Sequence, residues 1–190
     1  MAANLILATA SGTNCPKTGG VKELYTIPVT DINSITLGSN HDITNMVFAS
    51  AGVGFGKLNF KRGECEVTES MERSNDVQVN FAVPNPTALQ RKELTAIKNS
   101  CEQYMVARLY DNDRILFIGY DEESLDEGFV SFSSFESTSG RAKADDNLFS
   151  MTMSAEQGEP LRVLSGISGA TSPASTPAEI ITELVDATSV

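Results

Sequence analysis

The chain has no tryptophan, one histidine and three cysteines among 190 residues. Absent tryptophan says little, but the other scarcities exclude chemistry. His41 stands alone between Asn40 and Asp42, and no Ser or Cys lies in the context of a nucleophile elbow, so a hydrolytic triad cannot be assembled. Cys15, Cys65 and Cys101 lack the close pairing of metal sites and read as ordinary reduced thiols, two of them buried. No run of about 18 apolar residues exists, which excludes a helical membrane span. The Leu5-Ile6-Leu7-Ala8 run is too short for a signal-peptide core and no basic residue precedes it, so the expected location is the cytoplasm or a particle assembled there. Basic residues are also scarce: 14 against 25 acids, a net charge of −11. A protein that grips nucleic acid needs clustered Lys and Arg to displace counterions. A protein that lets nucleic acid pass without sticking does not. Acids are so widespread that no carboxylate pair stands out as a glycosidase couple. The chain is not expected to be an enzyme or to need a cofactor or metal.

What is present is organised around Asn75–Glu123. Asp76–Val83 alternates polar and apolar residues with the period of a half-buried strand. Pro84-Asn85-Pro86 ends it and opens a helix over Pro86–Ser100, with Asn85 as the cap, Pro86 at the first helical position, and Leu89, Leu94, Ile97 and Cys101 on the apolar side. Tyr104–Tyr110 and Ile115–Tyr120 flank an Asp111-Asn112-Asp113 turn and read as a hairpin. Before this centre, Val21–Val29, Ile32–Leu37 and Ile43–Phe48 are strands, Pro28 confining the first to an edge or a strand end. Glycines 52, 54 and 56 imitate a phosphate loop, but strand-like residues follow, so no helix N-terminus can receive a phosphate. Cys65–Glu72 is a polar strand that forms a long ribbon with Asp76–Val83, and such ribbons pack against neighbouring subunits.

Beyond the centre, five acids fall within Asp121–Glu127, a solvated loop. Strands follow at Phe129–Phe135 and Leu148–Ala155, with Phe129, Phe132, Phe149 and Met151 as core. Leu161–Leu164 is one more short strand. Ser165–Pro177 is linker in composition, and Thr176-Pro177-Ala178-Glu179 has the residues of a capping box. It opens a short helix with an apolar stripe of Ile180, Ile181, Leu184 and Val185, too short to stand alone, which must dock on its own domain or on another subunit. The expected fold is mainly β, a sandwich or barrel with one flanking helix, a long ribbon and terminal arms. Its parts are an N-terminal arm (1–20), the β domain (21–164) and a linker with a short helix (165–190).

Taken as a series, these elements resemble the tail tube proteins of tailed bacteriophages, which are similar to type VI secretion tube proteins. The matching features are the opening strand Leu24-Tyr25-Thr26-Ile27-Pro28-Val29, the alternating ribbon, the strand ending in Val83-Pro84, the helix from Leu89 to Ile97, and the hairpin closing on Gly119-Tyr120-Asp121. They span roughly Val21–Ala155. The resemblance implies a virion tail component, built from hexameric rings stacked into a hollow tube, with each subunit lending strands to a continuous inner barrel. Its implied partners are further copies of itself, other tail proteins and passing viral DNA that is not specifically bound, with no membrane. A DNA-conducting lumen should repel phosphates. The leading lumen candidates are Glu64, Glu66, Glu69 and Glu72, and the leading inter-subunit candidates are Leu5, Ile6, Leu7, Ile180, Ile181, Leu184 and Val185. Alternatives are a tail terminator or neck ring, or a small acidic binding module using the Asp121–Glu127 loop.

Overall fold

A computed structural model describes residues 20–50, 53–71, 75–100, 102–110, 113–122, 128–138, 148–167 and 176–186. The chain is mainly β. Eleven strands form two sheets: β1 (Val21–Pro28), β2 (Ile32–Leu37), β3 (Asp42–Phe48), β4 (Gly56–Asn59), β5 (Cys65–Met71), β6 (Asn75–Pro84), β7 (Gln103–Leu109), β8 (Ile115–Ile118), β9 (Ser131–Thr138), β10 (Leu148–Gln157) and β11 (Arg162–Leu164). Among the described residues two α-helices accompany them, α1 (Ala88–Asn99) and α2 (Pro177–Asp186). The larger sheet has seven strands in the order β2-β3-β11-β8-β7-β1-β4; the smaller has four, β5-β6-β10-β9. Every ladder is antiparallel except β11 with β3.

Strand β1 shows why both faces of the large sheet are covered. Leu24, Tyr25, Thr26 and Ile27 are consecutive and all buried, and successive side chains point to opposite faces. Leu24 joins one cluster with Val79, Phe81, Met105 and Met153, between the two sheets. Tyr25 and Ile27 join a second with Phe48, Phe117, Ile180 and Leu184. A bulge between Val21 and Glu23 against β7 puts Val21 on the Leu24 side, since one extra residue inverts the alternation. Pro28 is the last strand residue, and β1 lies between β7 and β4 rather than at an edge.

The helix α1 closes the first cluster through buried Leu94, with Ile97 packed against it. Its cap differs from the sequence expectation. Thr87 is the N-cap, and a reciprocal box joins it to Gln90: the Gln90 N–H donates to Thr87 Oγ1 at 3.2 Å and the Thr87 N–H to Gln90 Oε1 at 2.9 Å. A two-way box satisfies two orphan donors where Asn85 could satisfy one; Asn85 instead takes φ 49° in the turn outside the helix. Leu89, five residues and so about 140° around the helix from buried Leu94, faces outward and is 65% exposed. At α2 the expected capping box is present. The Thr176 N–H donates to Glu179 Oε2 at 3.1 Å and the Glu179 N–H to Thr176 Oγ1 at 3.4 Å.

The second helix docks on its own molecule. Ile180 and Leu184 are buried in the second cluster, and the Phe55 N–H donates to the Leu184 carbonyl at 2.8 Å. Ile180 and Leu184, two of the inter-subunit candidates, thus pack within their own molecule, and Ile181 is partly buried against the same cluster. The reason is that the second face of the large sheet is apolar and needs cover. The Val185 side chain, the arm with Leu5, Ile6 and Leu7, and Glu72 lie outside the described residues.

Candidate functional site

The small sheet divides its residues cleanly between two faces, and the pairing registers fix which is which. Cys65, Phe81, Met151 and Phe135 lie level across β5-β6-β10-β9, as do Val67, Val79, Met153 and Phe132. These face the first cluster. The alternate residues form the opposite face: Glu66, Thr68 and Ser70; Asp76, Gln78 and Asn80; Ser150, Thr152, Ser154 and Glu156; and Ser131, Ser134, Glu136 and Thr138. Among the described strand residues this face carries four acids and no Lys or Arg. Hydroxyls and amides fill the space between them. The Asn80 amide donates to Glu66 Oε1 at 3.5 Å and Thr152 Oγ1 donates to Asn80 Oδ1 at 2.9 Å, a row across three strands.

Of the lumen candidates, Glu66 lies on this face. Glu64 sits at its rim, where its carboxylate turns back to accept from the Lys61 N–H at 2.7 Å. Glu69 shares the core-side face with Cys65 and Val67 and accepts from the Leu161 N–H at 2.9 Å, because three-residue spacing cannot keep two side chains on one side of a strand. Asp76, Glu136 and Glu156 belong to the face and were not singled out from the sequence. Their alternation was visible, but their common side depends on which strands pair.

Other polar groups are committed to structure. Glu23 accepts from the Tyr25 hydroxyl at 3.0 Å and meets Lys57 at 2.7 Å and Arg108 at 2.8 Å. Burial alone would raise the Glu23 pKa, but the bonds from Lys57, Arg108 and Tyr25 outweigh it and bring it to about 2. Arg108 continues to Asp113 at 2.8 Å. Buried Arg162 pairs with Glu122 at 3.2 Å and with Glu159. Buried Asp121 accepts from the Gly158 N–H at 2.7 Å, holding the start of the acidic loop against the end of β10. Gly119, at φ +99°, lets β8 leave the sheet beside the Gln103–Val130 bridge; a Cβ there would lie 3.0 Å from the Gln103 carbonyl oxygen.

Burial pushes the Cys65 thiol up to about 12, with Glu66 adding to the effect, so it stays protonated. The His41 Nε2–H donates to the Pro160 carbonyl at 3.0 Å, and Nδ1 of the ring approaches Glu159 at 3.9 Å. Among the described residues no group of three or more His, Cys, Asp or Glu side chains is placed to hold a metal ion, and no helix is long and apolar enough to cross a membrane. No protein-family model, curated protein or solved structure matches the chain.

Proposed function

We propose that this chain is a virion structural protein, the tail tube subunit of a tailed bacteriophage, assembling with itself into stacked hexameric rings around a DNA-conducting channel. The observation that carries this reading is the polar face of the small sheet, with four acids and no base among its described strand residues. Burial leaves that face out of the core, so its composition is free to serve another purpose. A wall of hydroxyls, amides and carboxylates offers a DNA phosphate repulsion and no counterion-releasing partner. DNA beside it is neither held nor read.

The dimensions are compatible with this use. Six copies of the small sheet supply about 24 strands, spaced about 4.8 Å apart and tilted by about 40°. They close into a barrel with a backbone diameter of about 48 Å. Side chains of about 6 Å on each side leave a bore of about 36 Å, wider than a DNA duplex. The helix α1 belongs to the other side of the small sheet, where Lys98 lies against Phe132 and Phe135, so Arg91 and Lys92 stay away from the channel. Other tail proteins would meet the ends of the tube, and no cofactor takes part.

Negative-stain electron microscopy with light scattering of the purified chain tests the reading. Rings or hollow tubes are the expected result. A 20.4 kDa monomer that persists at high concentration would overturn it in favour of a binding module.

A further inference from the structure

We infer that the free edge of β4 is covered by the chain's own N-terminal segment, residues 4–9, laid along it as a further strand of the large sheet. Leu5 and Leu7 then fill the groove between β4 and α1. The inference does not depend on the assembly proposed above. It places Leu5 and Leu7 in their own molecule, where they guard an edge instead of joining copies.

Strand β4 is the outermost strand of the large sheet on its side and, among the described residues, pairs only with β1. The Phe60 N–H donates to the Lys22 carbonyl at 3.2 Å. Hydrogen-bonded and non-bonded pairs alternate along an antiparallel ladder. With Leu24 opposite Leu58 and Tyr25 opposite Lys57, the backbones of Leu58 and Phe60 therefore face β1. Those of Lys57 and Asn59 face away, two N–H and two C=O groups aimed past the last strand. Such a row accepts an extended segment. Beside it lies a groove of about 160 Å³, lined by apolar Leu58, Phe60, Val83 and Leu94 together with Gln90 and Glu93 of α1. Leu58 and Val83 are only partly buried, so covering them removes further apolar surface from water.

Reach, charge and pattern choose the occupant. Residues 1–19 precede the described part of the chain, which begins at Gly20. Gly20 sits close to the turn that follows β4: a Cβ on it would lie 3.5 Å from the Cys65 carbonyl oxygen and 3.9 Å from the Gly63 nitrogen. A strand added outside β4 lies two spacings from β1, about 10 Å away, and its far end is about 20 Å further along. Residues 10–19 span up to about 33 Å when extended, so the segment can reach the edge in either direction. Tethering also gives it an effective concentration on the order of millimolar, which a free peptide lacks. No charged side chain occurs before Lys17, and an apolar groove favours an uncharged occupant. In a strand Leu5 and Leu7 share one face and Ile6 and Ala8 the other. The buried run Leu24–Ile27 of β1 loads both faces in the same way, as strands of a sheet covered twice do.

Amide hydrogen exchange, read residue by residue by mass spectrometry, tests this. The full chain is compared with the same chain carrying Leu5→Asp and Leu7→Asp, with folding checked by circular dichroism. The Lys57 and Asn59 amides should exchange faster in the double variant by about tenfold or more. Leu58 and Phe60, whose backbones face β1, should keep their wild-type rates. Equal rates at Lys57 and Asn59 in the two chains would overturn the inference. An isotope-labelled double variant mixed with unlabelled wild type separates the molecule's own segment from a neighbour's. Its Lys57 and Asn59 amides should stay fast, whether or not rings or tubes form. Protection regained on mixing would put another copy's segment in the groove and overturn the assignment. Should the double variant fail to fold, Leu7→Ser alone replaces it, with an expected acceleration of about threefold at the same two amides; none would overturn the inference.

Discussion

The large sheet and the small sheet use the same alternation to opposite ends. In β1, β7 and β8 nearly every residue is buried, odd and even alike, because the small sheet and α1 lie on one side and α2 with Phe48 and Phe55 on the other. In β10 and in β6 as far as Phe81 burial alternates, and most outward residues are acids, amides and hydroxyls. Position in the fold, not strand propensity, sets this difference. A sheet covered twice is scaffold, whereas a sheet covered once has a face whose sequence folding does not dictate.

Substitutions can break or sharpen that contrast. The largest effect belongs to the doubly covered sheet: Phe117→Ala, at a side chain 1% exposed, is expected to cost about 3–5 kcal/mol in denaturant unfolding. Leu184→Ala in α2 should cost about 2–5 kcal/mol, showing the helix to be part of the core; a loss near that of a surface residue would return it to the status of a loose arm. Next comes Glu23. Its folded pKa, near 2 against 4.5 for the free group, lies below the unfolded one, so its contribution is complete above about pH 4.5 and is lost as pH falls through 2. The wild type should lose on the order of 3 kcal/mol across that interval from this group. Glu23→Gln should be less stable at pH 7 and flatter on acid titration. Removing the α1 cap by Thr87→Ala should cost about 1 kcal/mol. The smallest stability effect is expected on the open face. Glu66→Lys, Glu136→Lys and Glu156→Lys should each change stability by about 0.5 kcal/mol or less, and combined should produce salt-dependent retention on DNA, with none expected of the wild type.

Much of the scaffold was legible because it is written locally. The alternation of Asp76–Val83 and Leu148–Ala155, the Ile115–Ile118 hairpin arm and the Thr176–Glu179 box all depend on residues within a turn or a strand of one another. The cap of α1 was legible too, but Asn85-Pro86 competed with the Thr87–Gln90 box and the reciprocal pair won. The second core was signalled by the unbroken run Leu24–Ile27, which suits a strand covered on both faces. What could not be read was pairing between distant segments. Glu66, Asp76, Glu136 and Glu156 share a face only because β10 inserts between β6 and β9, and nothing within each strand states its neighbour.

That insertion also sets a clock. Of the four strands in the small sheet, the last to leave the ribosome is an inner one, β10. At about 5–20 residues per second, β5 and β6 wait several seconds for it, and β9 has no sheet to join until it arrives. The parallel partner of β3 is later still, since β11 begins at Arg162. A half-made chain therefore has no finished small sheet, because β6 and β9 are joined only through β10. The polar face is complete only when translation is nearly finished.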